Sequence, residues 1–202
     1  MTIQKPIAAL RRQAEKRNEN LEGGRPWRVL DFLLYLLLIM TIVLAVRSVA
    51  IDPVRVDGTS MLETLVDGEI MLVDRLAFIQ STPEAGDIII CYYPEEYYLE
   101  TGRSYNTRVK RVIAVGGDTI ETIANRVYVN GRQVEEPYVS DTRVGYQQIE
   151  KTTVPQDCVY VLGDNRAVSI DSRNEAVGPI PLYRVIGKVR SVIYPFGSIR
   201  KP

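Results

Sequence analysis

Apolar residues fall along this chain in two regimes. Positions 32–46 form fifteen uncharged residues in a row. Adding Val29, Leu30 and positions 48–51 gives more than twenty, enough for a helix to cross a bilayer, with Asp31 and Arg47 able to snorkel near its ends. Pro53 stops any helix near Asp52, because the residue before a proline avoids the helical region. Beyond it the apolar period shortens to two. Positions 54–57 and 69–74 alternate around a turn at Asp67-Gly68. Positions 88–93 read as a buried strand ended by Pro94, and 108–115 as another, closed by Gly116-Gly117-Asp118. Val127-Tyr128-Val129 and Arg132-Gln133-Val134 flank Asn130-Gly131, the strongest hairpin signal in the chain. Positions 158–162 and 187–194 give the last strands. Residues 95–107 are polar and tyrosine-rich and predict a loop, and no helix of convincing length is expected after residue 51. The pattern therefore predicts a mostly antiparallel β body behind one apolar helix, with every strand short and turn-bounded.

Charge sets the orientation of that helix. The 202 residues carry 25 Lys+Arg and 25 Asp+Glu, but up to Arg28 seven basic residues face three acids. A short helix around residues 7–17 is compatible with that tail. The basic excess places the N-terminus in the cytoplasm and the body outside. A cleaved leader is the competing reading, but the basic region is long and no clear small-x-small site precedes Pro53, so a retained anchor is expected. The organisation is then a basic tail over 1–28, an anchor over 29–51 and a body over 52–202, with a hairpin subdomain at about 119–157. From Ile51 onward 17 basic residues meet 21 acids, which argues against a nucleic-acid partner.

Residue counts exclude two chemistries. There is no histidine, so no Ser-His-Asp or Cys-His arrangement exists in the chain. With only Cys91 and Cys158 a Cys/His zinc site lacks ligands, no metal is expected, and whether the two cysteines pair is left open. Ser60 lies in the polar stretch Asp57-Gly58-Thr59-Ser60-Met61-Leu62-Glu63-Thr64-Leu65, where a serine ordinarily caps a turn. As a nucleophile it needs another base. A lysine serves if burial brings its pKa towards neutrality. Lys110 is the candidate because it sits inside a predicted strand, on the face of Val112 and Ala114 by period two, with Arg111 on the face of Val109, Ile113 and Val115. An edge strand carrying a protective Lys-Arg pair fits the pattern equally well.

A third stretch, Gly163-Asp164-Asn165-Arg166-Ala167-Val168-Ser169-Ile170-Asp171-Ser172-Arg173, is dense in polar residues. Its two Asp-Arg combinations suit bidentate pairs that fix the loop. Its spacing fails as a calcium loop, and its arginines would keep Asp164 and Asp171 ionised. A purely structural polar turn is the alternative.

Gly58-Thr59-Ser60-Met61 with Thr64-Leu65, then Ala85-Gly86-Asp87-Ile88-Ile89, then Arg108-Val109-Lys110-Arg111-Val112 with Gly116-Gly117-Asp118, then the 163–173 stretch, in this order after one anchor, resemble the type I signal peptidases over about residues 29–195. The resemblance implies a membrane-bound serine endopeptidase on a partial β-barrel, with Ser60 as nucleophile and Lys110 as general base. It implies that Ser169 helps position the lysine and that the Ser60 N–H serves the oxyanion. Gly58, Met61, Asp164, Asn165, Arg166, Asp171, Ser172 and Arg173 would shape the site. Substrates would be preproteins with small residues one and three before the cut, and by strand alternation Val54, Val56, Met61 and Leu65 are the expected pocket lining. No cofactor is implied. The partners are preproteins and the lipid bilayer of the cell membrane or a thylakoid-type inner membrane, and the enzyme is expected to be a monomer. Ser60 follows Val49 by eleven residues, so it lies at most about 36–40 Å from the anchor. Tyr194 and Phe196 suit either a membrane-facing rim or the core.

Four positions depart from the family pattern. Gly58 stands where some members carry an oxyanion-donating hydroxyl, Glu63 replaces a usual proline, and Ala167-Val168 replaces a frequent Asp-Asn. Two other readings fit parts of the sequence. A self-cleaving repressor-type protease shares the Ser/Lys logic, though no DNA-binding helix pair is present. In a non-enzymatic membrane-tethered β module, the polar boxes would only build turns.

Overall fold

The structure, a computed structural model, describes residues 12, 25–102, 107–139 and 148–202. Its contacts divide the chain into two units, Met1–Ser48 and Val49–Pro202. In the first, helix α1 (Arg25–Ala50) contains a window, Arg28–Ala45, of mean hydropathy 2.2 that is not buried within the molecule. A helix apolar on all sides suits a lipid surround, and 26 residues rise about 39 Å, long enough for a single-pass anchor. It begins before the expected Val29 and ends one residue earlier than expected, because Ile51 already belongs to the first strand. The helix expected over 7–17 lies outside the described residues except for Arg12, which is helical.

The second unit is a curled antiparallel half-barrel sheet with a smaller sheet beside it in the chain order. The strands are β1 (Ile51–Arg55), β2 (Ile70–Asp74), β3 (Ile88–Cys91), β4 (Arg108–Val115), β5 (Thr119–Ile123), β6 (Arg126–Val129), β7 (Arg132–Gln133), β8 (Thr152–Thr153), β9 (Cys158–Leu162), β10 (Ile180–Pro181) and β11 (Val185–Tyr194). The seven-stranded sheet runs β1-β2-β11-β3-β4-β9-β10, and the four-stranded one runs β7-β6-β5-β8. Pro53 is tolerated because β1 is an edge strand. The β6–β7 hairpin turns where Asn130 and Gly131 take φ of 52° and 74°, the left-handed pair that a two-residue hairpin turn requires.

Strand β3 shows how the sheet is covered. Ile88 and Ile90 enter one core cluster, with Val56, Met61, Leu65 and Met71, while Ile89 and Cys91 enter another, with Tyr93, Tyr97, Val112 and Val161. A short apolar run buried on both faces follows. The third cluster, around Ile120, Val127, Tyr160 and Leu162, belongs to the small sheet and the strands that meet it.

Four expectations need correction. Part of the segment read as a loop is a helix, α2 (Glu95–Thr101). Pro94 precedes it, Gly102 closes it at φ 62°, and the Thr101 hydroxyl donates to Tyr97 O at 2.6 Å. Tyr97 and Tyr98, which made the segment look polar, are buried and supply its apolar face. In β4 the strict alternation fails. A register shift between Val112 and Ala114 sends Val112 to one core cluster and both Ile113 and Ala114 to another, so Ala114 does not share the face of Val112. Neither is β4 an edge, since β3 and β9 pair along its two sides, which removes the protective-pair reading of Lys110 and Arg111. Finally, Phe196 is 81 % exposed and packs edge-to-face on half-exposed Tyr194, so neither belongs to the core.

Candidate active site

Ser60 sits in the connection from β1 to β2, which folds over on itself. Val56 N–H donates to Glu69 O at 2.8 Å and Gly68 N–H to Val56 O at 3.0 Å. Gly58, at φ 95°, donates its N–H to Asp67 Oδ1 at 2.8 Å. A φ of this sign is what glycine supplies at little cost, so the turn explains why no hydroxyl-bearing residue stands there. Leu65 N–H returns to Met61 O at 2.8 Å. From the far end of the chain Arg200 donates to Thr64 O at 2.9 Å while pairing with Glu69. Glu63 is exposed and takes no part in this network.

Lys110 reaches this turn from the middle of the sheet. It is 2 % exposed, and its Nζ donates to Ser60 Oγ at 2.7 Å. Burial pulls its pKa from 10.5 to about 8, with Asp171 opposing that shift and Arg108 adding to it. An amine so placed exchanges its proton near neutral pH and touches the hydroxyl it would activate. Cys91, opposite Arg108 in the β3–β4 register, is pushed up to about 12 by burial, and both cysteines are free thiols.

The 163–173 loop closes the arrangement. Asn165 donates its N–H to Ser60 O and its Nδ2 to Thr59 O, each at 3.1 Å. Asp171 and Arg173 form the expected bidentate pair, 2.8 and 2.9 Å, and Asp171 also accepts Gly163 N–H at 3.0 Å. The second expected pair does not form. Asp164 pairs instead with Arg111 of β4, at 2.9 and 2.8 Å, and accepts the Thr64 hydroxyl at 2.5 Å. Arg166 donates to Gly163 O at 3.0 Å and pairs with Glu136. The side-chain partners of these two sequence neighbours come instead from distant elements. Ser172 Oγ accepts Val161 N–H at 3.0 Å and so anchors the loop to β9. Ser169 is buried with an Oγ that has no hydrogen-bond partner among the described residues. It lies against Gly163, where a Cβ would stand 2.2 Å from Ser169 Oγ and 2.5 Å from Ser60 O.

The signal peptidase family, peptidase S26, matches residues 29–194. The chain belongs to that family. It is 37 % identical over 175 residues to signal peptidase I of Bacillus licheniformis, covering 81 % of this chain and 89 % of that protein. It is 34 % identical over 178 residues to signal peptidase I U of Bacillus subtilis strain 168, covering 83 % and 89 %. Thylakoidal processing peptidase 1 of Arabidopsis thaliana, a chloroplast protein, is 34 % identical over 152 residues, covering 74 % of this chain and 44 % of that one. The activity is accordingly that of a signal peptidase I, a serine endopeptidase that processes signal peptides, with preproteins as its substrates.

In this signal peptidase a groove of about 480 Å³ opens over Ser60 and Lys110. Val54, Val56 and Met61 line it, as do Gly58, Thr59 and Val109. Leu65 does not, being fully buried in the core beneath the turn. Residues not expected as pocket lining also line it, among them Tyr93, Tyr97, Thr107, Arg108, Val168 and Ile170. Glu136 and Tyr138 were missed as well. The Tyr138 ring lies 3.9 Å from the Arg111 guanidinium carbon. Only the density of tyrosines around Pro94 hinted at an aromatic wall.

Proposed function

We propose that this peptidase cleaves preproteins by a Ser60/Lys110 dyad while held to a bilayer by α1. What carries the reading is the 2.7 Å contact between Ser60 Oγ and the Nζ of a lysine buried in the sheet. Neutral Lys110 takes the Ser60 proton as Oγ attacks the carbonyl carbon after a small side chain. The tetrahedral oxyanion is received by the Ser60 N–H. Lys110, now an ammonium, passes its proton to the departing amine, the C–N bond breaks, and an acyl-enzyme remains. Lys110 then draws a proton from the water that attacks the ester and passes it to Ser60 Oγ as the acyl C–O bond breaks, which restores Ser60 and the neutral amine. Ser169, whose buried hydroxyl has no hydrogen-bond partner among the described residues, is assigned the orienting of the Lys110 amine once that amine turns from Ser60.

Gly58 contributes no hydroxyl to the oxyanion, and one such donor is worth about 3 kcal/mol where it is used. The chain's N-terminus faces the cytoplasm and the β body the opposite side. Ser60→Ala and Lys110→Met in the full-length protein are each expected to lower preprotein processing by at least about a thousandfold, measured as mature product per unit time. Full processing by either variant would refute the dyad.

A further inference from the structure

The groove over the dyad is also lined by Val168 and Ile170 of the 163–173 loop and by Tyr93 and Tyr97. Val168 is 56 % exposed, an apolar side chain left open in the groove that also holds Ser60. Ile170 is tied to Tyr93, whose hydroxyl donates to Ile170 O at 2.5 Å. Arg55, Asp57 and Arg108 line the groove as well, beside Lys110.

The side of the cut that Val168 and Ile170 serve follows from the backbone at Ser60. Thr59 O accepts from Asn165 of the same loop, and the Thr59–Ser60 peptide is trans. Carbonyl and N–H point oppositely across a trans peptide, so the Ser60 N–H, and with it the oxyanion, faces away from the Asn165 side chain. The departing nitrogen, by contrast, must lie beside Lys110 Nζ to receive its proton. The loop approaches Lys110 through residues 169–171: the Asp171 carboxylate acts on the Lys110 charge, and Ser169 Oγ lies against Gly163 next to Ser60 O. Val168 and Ile170 flank Ser169 in sequence, so the chain that leaves with the new N-terminus passes them.

We propose that Val168 and Ile170 form the subsite for the residue immediately after the scissile bond, and that this subsite favours an apolar side chain. The proposal rests on the Ser60/Lys110 reading above. Its test uses the full-length protein in detergent micelles and peptides that share one cleavage sequence and differ only after the cut, carrying Leu, Ser or Asp. The wild type is expected to show kcat/KM for Leu over Ser and Asp higher by about tenfold. Val168→Asn should bring that ratio close to one, while Val168→Leu should keep or raise it. No preference in the wild type, or a preference for Asp drawn by Arg108, overturns the proposal. So does a Val168→Asn variant whose altered selectivity falls on the residue before the cut. Activity surviving in Ser60→Ala would instead sink the dyad, whatever the Val168 variants do.

Discussion

Lys110, as the proposed base, is the residue where stability and activity would conflict. Its ordinary pKa of 10.5 falls to about 8 in the folded chain because burial penalises the ammonium. Since the proposed base is the neutral amine, kcat/KM should rise about tenfold per pH unit up to a single ionisation near 8 and then level. A pH profile of peptide cleavage checks this, and an acid limb centred near 6 would point to a different base. The same shift bears on folding. Below about pH 8 both states hold the proton, and the folded state carries the full cost of a buried cation. Between 8 and 10.5 the unfolded chain binds a proton that the folded chain has released, so stability rises with pH across that window. The gap corresponds to roughly 3 kcal/mol. Lys110→Met should therefore be more stable than wild type at pH 7, by up to that amount. The advantage should vanish as pH approaches 10.5, as followed by chemical denaturation of the full chain across that range. Equal stability at pH 7 would mean that the lysine carries no burial penalty.

Among the elements, the Ser60 turn and the 163–173 loop interlock with little room to spare. A Cβ at position 163 would stand 2.2 Å from Ser169 Oγ and 2.5 Å from Ser60 O, distances real Cβ atoms essentially never show. Gly163→Ala must displace either the Ser169 side chain or the Ser60 backbone. It should lower kcat by at least about a hundredfold while changing KM much less, and an unaffected kcat would show that the loop yields without disturbing Ser60. The order of polar boxes and strands was readable in the sequence because each is local: the Asn130-Gly131 turn, the glycine at 58, the lysine inside 108–115. What was not readable depends on distant partners. The side chains of Tyr97 and Tyr98 look polar in a list but are buried, which turned α2 into an expected loop. The β4 irregularity needs β9 beside it to exist at all. Asp164 and Arg166 looked like each other's partners because sequence proximity is visible, whereas Arg111, Thr64 and Glu136 converge on them only after folding.

In the β body as a whole, the site is braced from two sources far from Ser60 in sequence. Arg200, two residues from the C-terminus, ties Thr64 O and Glu69, and Glu69 holds Val66 N–H at 3.0 Å. The segment following β7 supplies Glu136 to Arg166 and sets Tyr138 against Arg111. The first tie is partly exposed, with Arg200 about a third accessible, so its energy is heavily screened and its role is mainly to fix geometry. The second is not. The Arg166 side chain is almost wholly buried, and deleting one partner of a buried pair leaves a charge without compensation, at about 3 kcal/mol or more. Glu136→Ala should accordingly lower unfolding stability by about that amount, and Glu136→Gln, which keeps an acceptor, by clearly less. Arg166 also holds Gly163 O, and Gly163 contacts both Ser169 and Ser60. A loosened Arg166 should thus lower kcat as well, with KM nearly held. Chemical denaturation and steady-state kinetics on the same two variants separate the contributions. Loss of stability with kcat intact would make Glu136 a support for the fold alone, whereas a parallel fall in kcat would carry its influence through Arg166 and Gly163 to Ser60.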